Sequence, residues 1–404
     1  MTSLRTTCAI AGGGPAGMMA GHLLARAGID VVVLEKHADF LRDFRGDTVH
    51  PSTLEVMDEL GLIERFLARP HQKVRRLAGK FGDTELIFAD FSSLPVRHRY
   101  IAMMPQWELL DFLAEEGRRF AGFGLRMRAE VTDLVEADGR VRGLHARTPE
   151  GPLEIAADLV IGADGRHSRV RECAGLEVES IGAPMDVLWF RVSRKDSDPD
   201  DTTGRFDAGR ISIMINRGDY WQCAFVIPKG SVDEVHARGL AAFREAVAKL
   251  APFLGDRLGE IASFDDVKLL TVAVDRLTNW TRPGLLCIGD CAHAMSPVGG
   301  IGINLAVQDA VAAANILAAP LRAGRASEAD LQKVEARRLF PTRMTQRLQV
   351  FIQNRVIAPT LKSTTQLQVP LAVRLLTQVP LLRRLPARLI GLGIRPEHVE
   401  TKAA

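Results

Sequence analysis

Apolar positions near the start of the chain come in short unbroken blocks rather than in a helical stripe. Thr7-Cys8-Ala9-Ile10-Ala11 and the run 30–34 read as buried strands, and the stretch 18–27 between them reads as a helix. This alternation predicts a parallel α/β unit. Blocks of the same kind recur at 158–163 and 284–289, and a helix is predicted from Gly302 to Leu317 after the second. The middle of the chain differs. Residues 187–192, 211–215, 220–227 and 267–274 are β-rich segments with polar turns between them, which predicts a largely antiparallel sheet inserted into the α/β body. The last sixty residues are Leu- and Val-rich, with breaks at Pro359, Pro370, Pro380, Pro386 and Pro396. They predict short amphipathic helices stopped by proline.

Composition narrows the class without naming a function. The chain has 404 residues, 47% of them hydrophobic and 25% charged, enough for two or three domains. Its 35 Gly and 20 Pro follow no period and only five Cys are present, which excludes collagen-like, disordered and disulfide-scaffold proteins. A net charge of +3 gives no reason to expect nucleic acid. No uninterrupted run of eighteen apolar residues occurs, so no bilayer span is expected. An N-terminal signal sequence is not expected either, because Gly12-Gly13-Gly14-Pro15 interrupts its would-be apolar core. A cytoplasmic location follows as the expectation. The odd, irregularly spaced cysteines read as reduced thiols, and Cys287, Cys291 and His293 lack the fourth ligand of a metal site.

Charge is unevenly spread. Between Glu335 and Glu397 stand eleven basic residues and no acid, which leaves the rest of the chain at net −8. Electrostatic docking of this basic region on the acidic body is favoured over contact with anionic lipid, because the prolines prevent one long membrane-lying helix.

Three motifs carry candidate chemistry. In the first, Gly12 permits a tight turn, Gly14 lets the backbone approach a pyrophosphate, and Gly17 allows close helix–strand packing. Pro15 and Ala16 open the helix, whose free N–H groups suit phosphate. Glu35, with Lys36 beside it, ends the second strand about 20 residues on, where a ribose-binding carboxylate stands in dinucleotide folds. That acid favours NAD or FAD over NADP at this site. The second motif ends a strand in Gly289-Asp290 and continues through Pro297 to Gly299-Gly300-Ile301-Gly302-Ile303-Asn304. Asp290 suits a polyol chain, and the turn with its helix N-terminus suits negative charge on a ring. The third opens a strand into Gly162-Ala163-Asp164-Gly165 and a basic helix start.

Together these motifs, in this order and spacing, resemble the class A flavoprotein monooxygenases, the FAD-dependent aromatic hydroxylases typified by p-hydroxybenzoate hydroxylase. The glycine triplet resembles the family's FAD fingerprint. Residues 158–171 resemble its DG motif, linked to FAD and NAD(P)H, and Gly289-Asp290 with Pro297 its GD motif, whose acid contacts the ribityl chain. The likeness spans roughly residues 5–320, and residues 391–398 resemble the closing stretch of some members. It adds Arg45, matching a loop arginine near the flavin, and Gln106, matching a polar FAD contact.

The resemblance implies an α/β fold with a doubly wound, glutathione-reductase-like FAD-binding domain. That domain is expected over 1–180, with an excursion near 72–100 to the substrate domain, and again over 280–340. A mostly antiparallel substrate domain is expected over 181–279 and a helical basic region over 341–404. It also implies FAD as cofactor and NADPH or NADH as transient co-substrate. The reaction implied is hydroxylation of an aromatic or polycyclic phenolic small molecule by O2 through a flavin C4a-hydroperoxide, in a monomer or homodimer.

Trp189, Arg191, Met214, Tyr220, Trp221 and Phe225 lie on the predicted inserted sheet, where alternation lets about half face a flavin. No catalytic base is assigned; His50 lies near the expected flavin loop but reads as structural. A flavin-dependent halogenase is one rival, with Lys80 as its lysine. The required Trp-x-Trp-x-Ile-Pro pattern is absent, because Trp221 leads only to Gln222-Cys223-Ala224-Phe225-Val226-Ile227-Pro228. An FAD-dependent reductase is another rival. A non-catalytic lipid- or protein-binding relative of the fold is a third, and the intact adenosine, pyrophosphate and ribityl motifs argue against it.

Overall fold

The computed structural model describes residues 2–41, 48–82, 84–365, 367, 369, 377 and 379–404. Its first sheet is parallel at the centre. β1 (Thr2–Ala11) lies between β2 (Val31–Leu34) and β3 (Gly151–Gly162), and β4 (Leu285–Cys287) pairs with the far side of β3. Ile10 stands opposite Val33 on one side and Ile161 on the other. Residues 8–11, 33–34 and 159–162 are buried whichever face they point to, so these strands are apolar without alternation. Strand Phe123–Arg126 adds beyond β2, and an antiparallel pair, Glu130–Ala137 with Arg140–Thr148, extends from the first half of β3. The fold class read from the sequence is present.

Two helices complete this core. α1 (Pro15–Arg26) follows β1 and is buried along Ala16 to Ala25, its small residues allowing close packing. α2 (Gly302–Arg322) packs beside it and runs five residues past the expected end, through Pro320. The stretch Val298–Arg322 is long and apolar enough to cross a bilayer by composition, but 78% of its most apolar window is buried inside the fold. Its hydrophobicity serves the core.

The second sheet has seven strands. Lys268–Leu270, Met185–Ser193, Tyr220–Pro228, Arg210–Asn216 and Thr203–Asp207 pair in that order, and Arg76–Phe81 with Thr84–Asp90 extend it. All joins are antiparallel except that between Thr203–Asp207 and Arg76–Phe81. One face, with Leu188, Phe190, Val192, Trp221 and Phe225, is covered by helix Leu240–Leu250. The other, with Met185, Val187, Ile211, Ala224 and Val226, meets Val298, Ile352 and Ile357. The expected strand 267–274 is confined to Lys268–Leu270, because the backbone N–H of Val272 leaves the ladder to donate to Asp186.

The C-terminal helices depart from the reading in which proline stops each one. α3 (Glu328–Ile352) contains Pro341, and α4 (Pro380–Gly391) starts at one proline and contains Pro386. The hydrogen bond lost at Pro386 belongs to the carbonyl of Leu382, a 44% exposed residue, so the loss falls on the solvent side of the helix. A π-helical turn, Gln353–Ile357, links α3 to helix Ala358–Lys362. Arg343, Arg347, Arg355, Lys362, Arg384 and Arg388 are exposed. These six cations meet water; Arg338, buried against Asp309 of α2, docks by charge, beside buried apolar and amide contacts.

Candidate active site

The glycine loop after β1 is shaped from three sides. Gly12 has φ +104°, and a Cβ there would stand 2.3 Å from the Ala163 carbonyl oxygen, at the end of β3. A Cβ on Gly17 would stand 2.0 Å from the Gly12 oxygen, so α1 lies against its own loop. Gly14 differs: a Cβ there would meet nothing within 4 Å. It caps α1 without a side-chain hydrogen bond, and Pro15 follows at the first helical position. An open cradle beside unsatisfied helical N–H groups fits a diphosphate. Glu35 is 9% exposed, and its carboxylate accepts from the N–H groups of Gly13 at 3.1 Å and His37 at 3.0 Å. Lys36 is exposed.

The Gly289–Cys291 turn meets this loop directly. Gly289 has φ +59°, and a Cβ on it would stand 2.9 Å from Cβ of Ala16 in the first turn of α1. Asp290 is thereby placed at the mouth of the cradle, its side chain 34% exposed, with Arg166 Nη2 3.4 Å from Oδ2. Asp164, expected to contact the cofactor, also has bonds within its own loop. Its oxygens accept from Ser168 Oγ at 2.5 Å and from the Val170 N–H at 3.1 Å, so it holds the start of helix Arg169–Cys173.

The third part is the turn from Pro297 into α2. Gly299 and Gly300 both have positive φ, +80° and +63°. Thr48 Oγ1 donates to the Gly300 carbonyl at 2.8 Å. Gly302 opens α2, and no side chain caps that helix. Ile303 and Asn304 face inward. The Asn304 Oδ1 accepts from the His50 N–H at 2.9 Å and from Thr53 Oγ1 at 2.7 Å, which makes Asn304 a brace between α2 and helix Pro51–Glu59. Gln106 is half-buried at the start of helix Gln106–Gly117. Arg45 lies outside the described residues.

The inserted sheet sorts its six candidates by face. Met214, Trp221 and Phe225 join the cluster under Leu240–Leu250, Arg191 is exposed, and Tyr220 is half-buried at a strand end. Trp189 alone of the six packs against the two clusters on the opposite face, the face that meets Val298. Lys80 is exposed, paired in register with Glu85 and Arg205 near the sheet edge.

Several supporting residues escaped the sequence reading. Asp309 on α2 accepts from the Gly289 N–H at 3.0 Å and pairs with His293 Nε2 at 2.6 Å and Arg338 Nε at 2.9 Å. Burial opposes its charge, but His293 and Arg338 outweigh burial and hold the carboxyl below its ordinary range. Arg338, 1% exposed, also reaches Glu397 at 3.2 Å. His50 is fully buried and donates from Nδ1 to the Ile390 carbonyl at 2.7 Å. Burial lowers its pKa to about 4, so the ring is neutral at pH 7. Polar residues on α3 and α2 carry no motif, so their partners are visible only in three dimensions.

Comparison with known proteins agrees with this arrangement. The FAD binding domain family matches residues 5–348. The chain is 34% identical over 95% of its length to 6-methylpretetramide 4-monooxygenase of Streptomyces rimosus, covering 92% of that protein. It is 31% identical over 76% of its length to the 12-dehydrotetracycline 5-monooxygenase/anhydrotetracycline 6-monooxygenase of the same species, of which it spans 61%. Among solved structures, OxyS anhydrotetracycline hydroxylase from Streptomyces rimosus superposes with a TM-score of 0.75 at 27% identity, covering 97% of this chain and 77% of that one. The chain belongs to the FAD binding domain family and is a flavin-dependent monooxygenase of the class A type.

Proposed function

We propose that the chain hydroxylates a fused-ring phenolic compound, with NADPH or NADH as the electron source and O2 as the oxygen source. The observation that carries this reading is the near end-to-end similarity to a monooxygenase of 6-methylpretetramide, at 34% identity. The apolar sheet face beside Val298, with Trp189 on it, supports a large flat substrate over a small polar one.

FAD, when bound, supplies hydride acceptance and activation of O2. The chain's own residues supply binding, orientation and exclusion of water. Gly14 and the first turn of α1 would hold the diphosphate, Glu35 a ribose hydroxyl and Asp290 the polyol chain. The uncapped N-terminus of α2, presented by Gly299 and Gly300, offers positive potential to negative charge on the ring. Val298 and the sheet residues around Ala224 and Val226 keep water from the reacting face. No general base is assigned; His50 is neutral and its Nδ1 is bonded to the Ile390 carbonyl, which supports a structural role.

The test is oxygen incorporation. The purified yellow protein, given NADPH or NADH, 18O2 and a panel of anthracyclic and tetracyclic phenols, is expected to add one 18O atom to at least one compound. Reductant consumption that yields only hydrogen peroxide across the whole panel would count against the substrate class. Equal turnover without O2 would indicate a reductase.

A further inference from the structure

The segment between Asp290 and the Gly299-Gly300 turn is not in a sheet for most of its length, yet its backbone polar groups are buried. α3 and the first residue of the π-helical turn after it satisfy them with a row of glutamines. Gln346 Nε2 donates to the carbonyls of Asp275 at 2.8 Å and Ala294 at 3.2 Å. Gln349 Nε2 donates to the carbonyls of Ser296 and Val298, both at 2.9 Å, while its Oε1 accepts from the Ser296 N–H at 3.2 Å. Gln353 Nε2 donates to Ser296 Oγ at 2.7 Å, and that hydroxyl accepts from the Val298 N–H at 3.3 Å. All three glutamines are 1% exposed. Their spacing of three and four residues puts them on one helix face.

A carboxamide is suited to this work because it both donates and accepts, as a neighbouring strand would. Glutamate keeps only the acceptor and leucine neither. The segment so held leads into a turn with two positive-φ glycines, a backbone with little stiffness of its own. Thr48 holds that turn from one side and Gln349 from the other.

We propose that Gln349, assisted by Gln353, is a positioning residue that fixes the turn at residues 296–300 and so couples the C-terminal helices to the reactivity of the flavin. This rests on the reading of that turn as part of the flavin site. Loosening the turn changes how the α2 N-terminus addresses charge on the ring and how well water is kept out. FAD binding itself depends mainly on the glycine loop, Glu35 and Asp290, none of which Gln349 touches.

The experiment compares Gln349→Leu, Gln349→Glu and Gln353→Leu with Thr342→Val, a change at a fully buried position on the same helix. At a fixed poise of a reference dye, the ratio of reduced to oxidised bound flavin should shift at least threefold in both Gln349 variants. Hydrogen peroxide released per NAD(P)H oxidised should rise at least threefold, with flavin content retained. Thr342→Val should move neither. If Gln349→Leu does not fold, Gln353→Leu, which removes one hydrogen bond, decides by the same readouts. Lower thermal stability with an unmoved flavin ratio and unmoved peroxide yield would make the row merely structural and overturn the proposal. A wild-type chain that holds no FAD would instead overturn the flavin-site reading beneath it.

Discussion

The backbone N–H of Gly289 donates to the carboxylate of Asp309 at 3.0 Å, twenty residues along the chain, and this bond ties the turn carrying Asp290 to the body of α2. Asp309 is fully buried and bound at its other oxygen by Arg338, which in turn reaches Glu397 near the C-terminus. A chain of charges thus runs from the Gly289–Cys291 turn to Glu397. Asp309→Asn removes a buried charge and leaves Arg338 poorly compensated, at a cost of roughly 3 kcal/mol. Chemical denaturation should show this loss, together with weaker flavin retention. An Asp309→Leu/Arg338→Met double variant should recover much of the stability but not the retention, because the Gly289 N–H stays unpartnered.

Gly14 and Gly17 separate binding from folding. Gly14→Val places a side chain in open space at an ordinary φ of −75°, so the flavin-free protein should melt as the wild type does. It should nonetheless be colourless, with the diphosphate position filled. Gly17→Ala, a smaller change, puts a Cβ 2.0 Å from the Gly12 oxygen and should cost several kcal/mol whether or not flavin is present. Equal melting losses in the two variants would contradict the assignment of the loop.

The same contrast explains what the sequence made legible. The glycine pattern, Glu35 and the Gly289-Asp290 turn stand out because their chemistry demands particular residues at fixed short spacing. Asp309, Arg338 and Gln349 do not stand out, since a polar residue on a long helix reads as solvent-facing until its partner is known. Pro386 misled for a related reason: proline forbids one hydrogen bond, and only the exposure of Leu382 shows that the bond is dispensable. The bonds by which Asp164 closes its own loop are not legible in the local pattern and appear only in three dimensions.

Asp290 should act on binding alone. It is partly exposed and its ion pair with Arg166 is long, 3.4 Å, so Asp290→Ala should change stability by less than about 1 kcal/mol. Flavin dissociation, followed by recovery of free-flavin fluorescence, should quicken at least tenfold.

His50 gives the fold an acid limit. Its pKa is about 4 in the folded chain and about 6.5 when unfolded. Between these values the unfolded chain binds more protons, so stability falls as pH falls through the window and is fully present above it. The loss attributable to His50 between pH 7 and pH 5 is about 2 kcal/mol. His22, lowered to about 4 by burial and by Arg26, adds a second contribution of the same sign. His50→Asn retains a donor for the Ile390 carbonyl and should flatten the melting profile over this range by about half. An unchanged profile would place the acid sensitivity elsewhere.

The C-terminal residues dock by specific hydrogen bonds and one buried ion pair, and salt separates this from general attraction of a basic tail. The Thr401 carbonyl accepts from Arg26 at 2.6 Å, and the Ala404 N–H donates to the Arg26 carbonyl at 3.0 Å, at the end of α1. The His398 carbonyl and the Glu400 N–H bond the two ends of the Asn315 amide on α2. Glu397, 5% exposed, meets Arg337 and Arg338. Arg337 and Arg338 belong to the basic region between Glu335 and Glu397, and they meet acids outside it, Glu397 and Asp309. Buried pairs are screened far less than exposed ones, which lose most of their attraction beyond a Debye length of about 8 Å at physiological ionic strength. Protease resistance of the tail should therefore be the same at about 0.05 M and about 0.5 M salt. Deleting residues 396–404 should lower the melting temperature and the flavin content together, because Arg338 loses a partner and Asp309 loses its fixed neighbour. Release of the tail by salt alone, with the body still folded and yellow, would restore the electrostatic account.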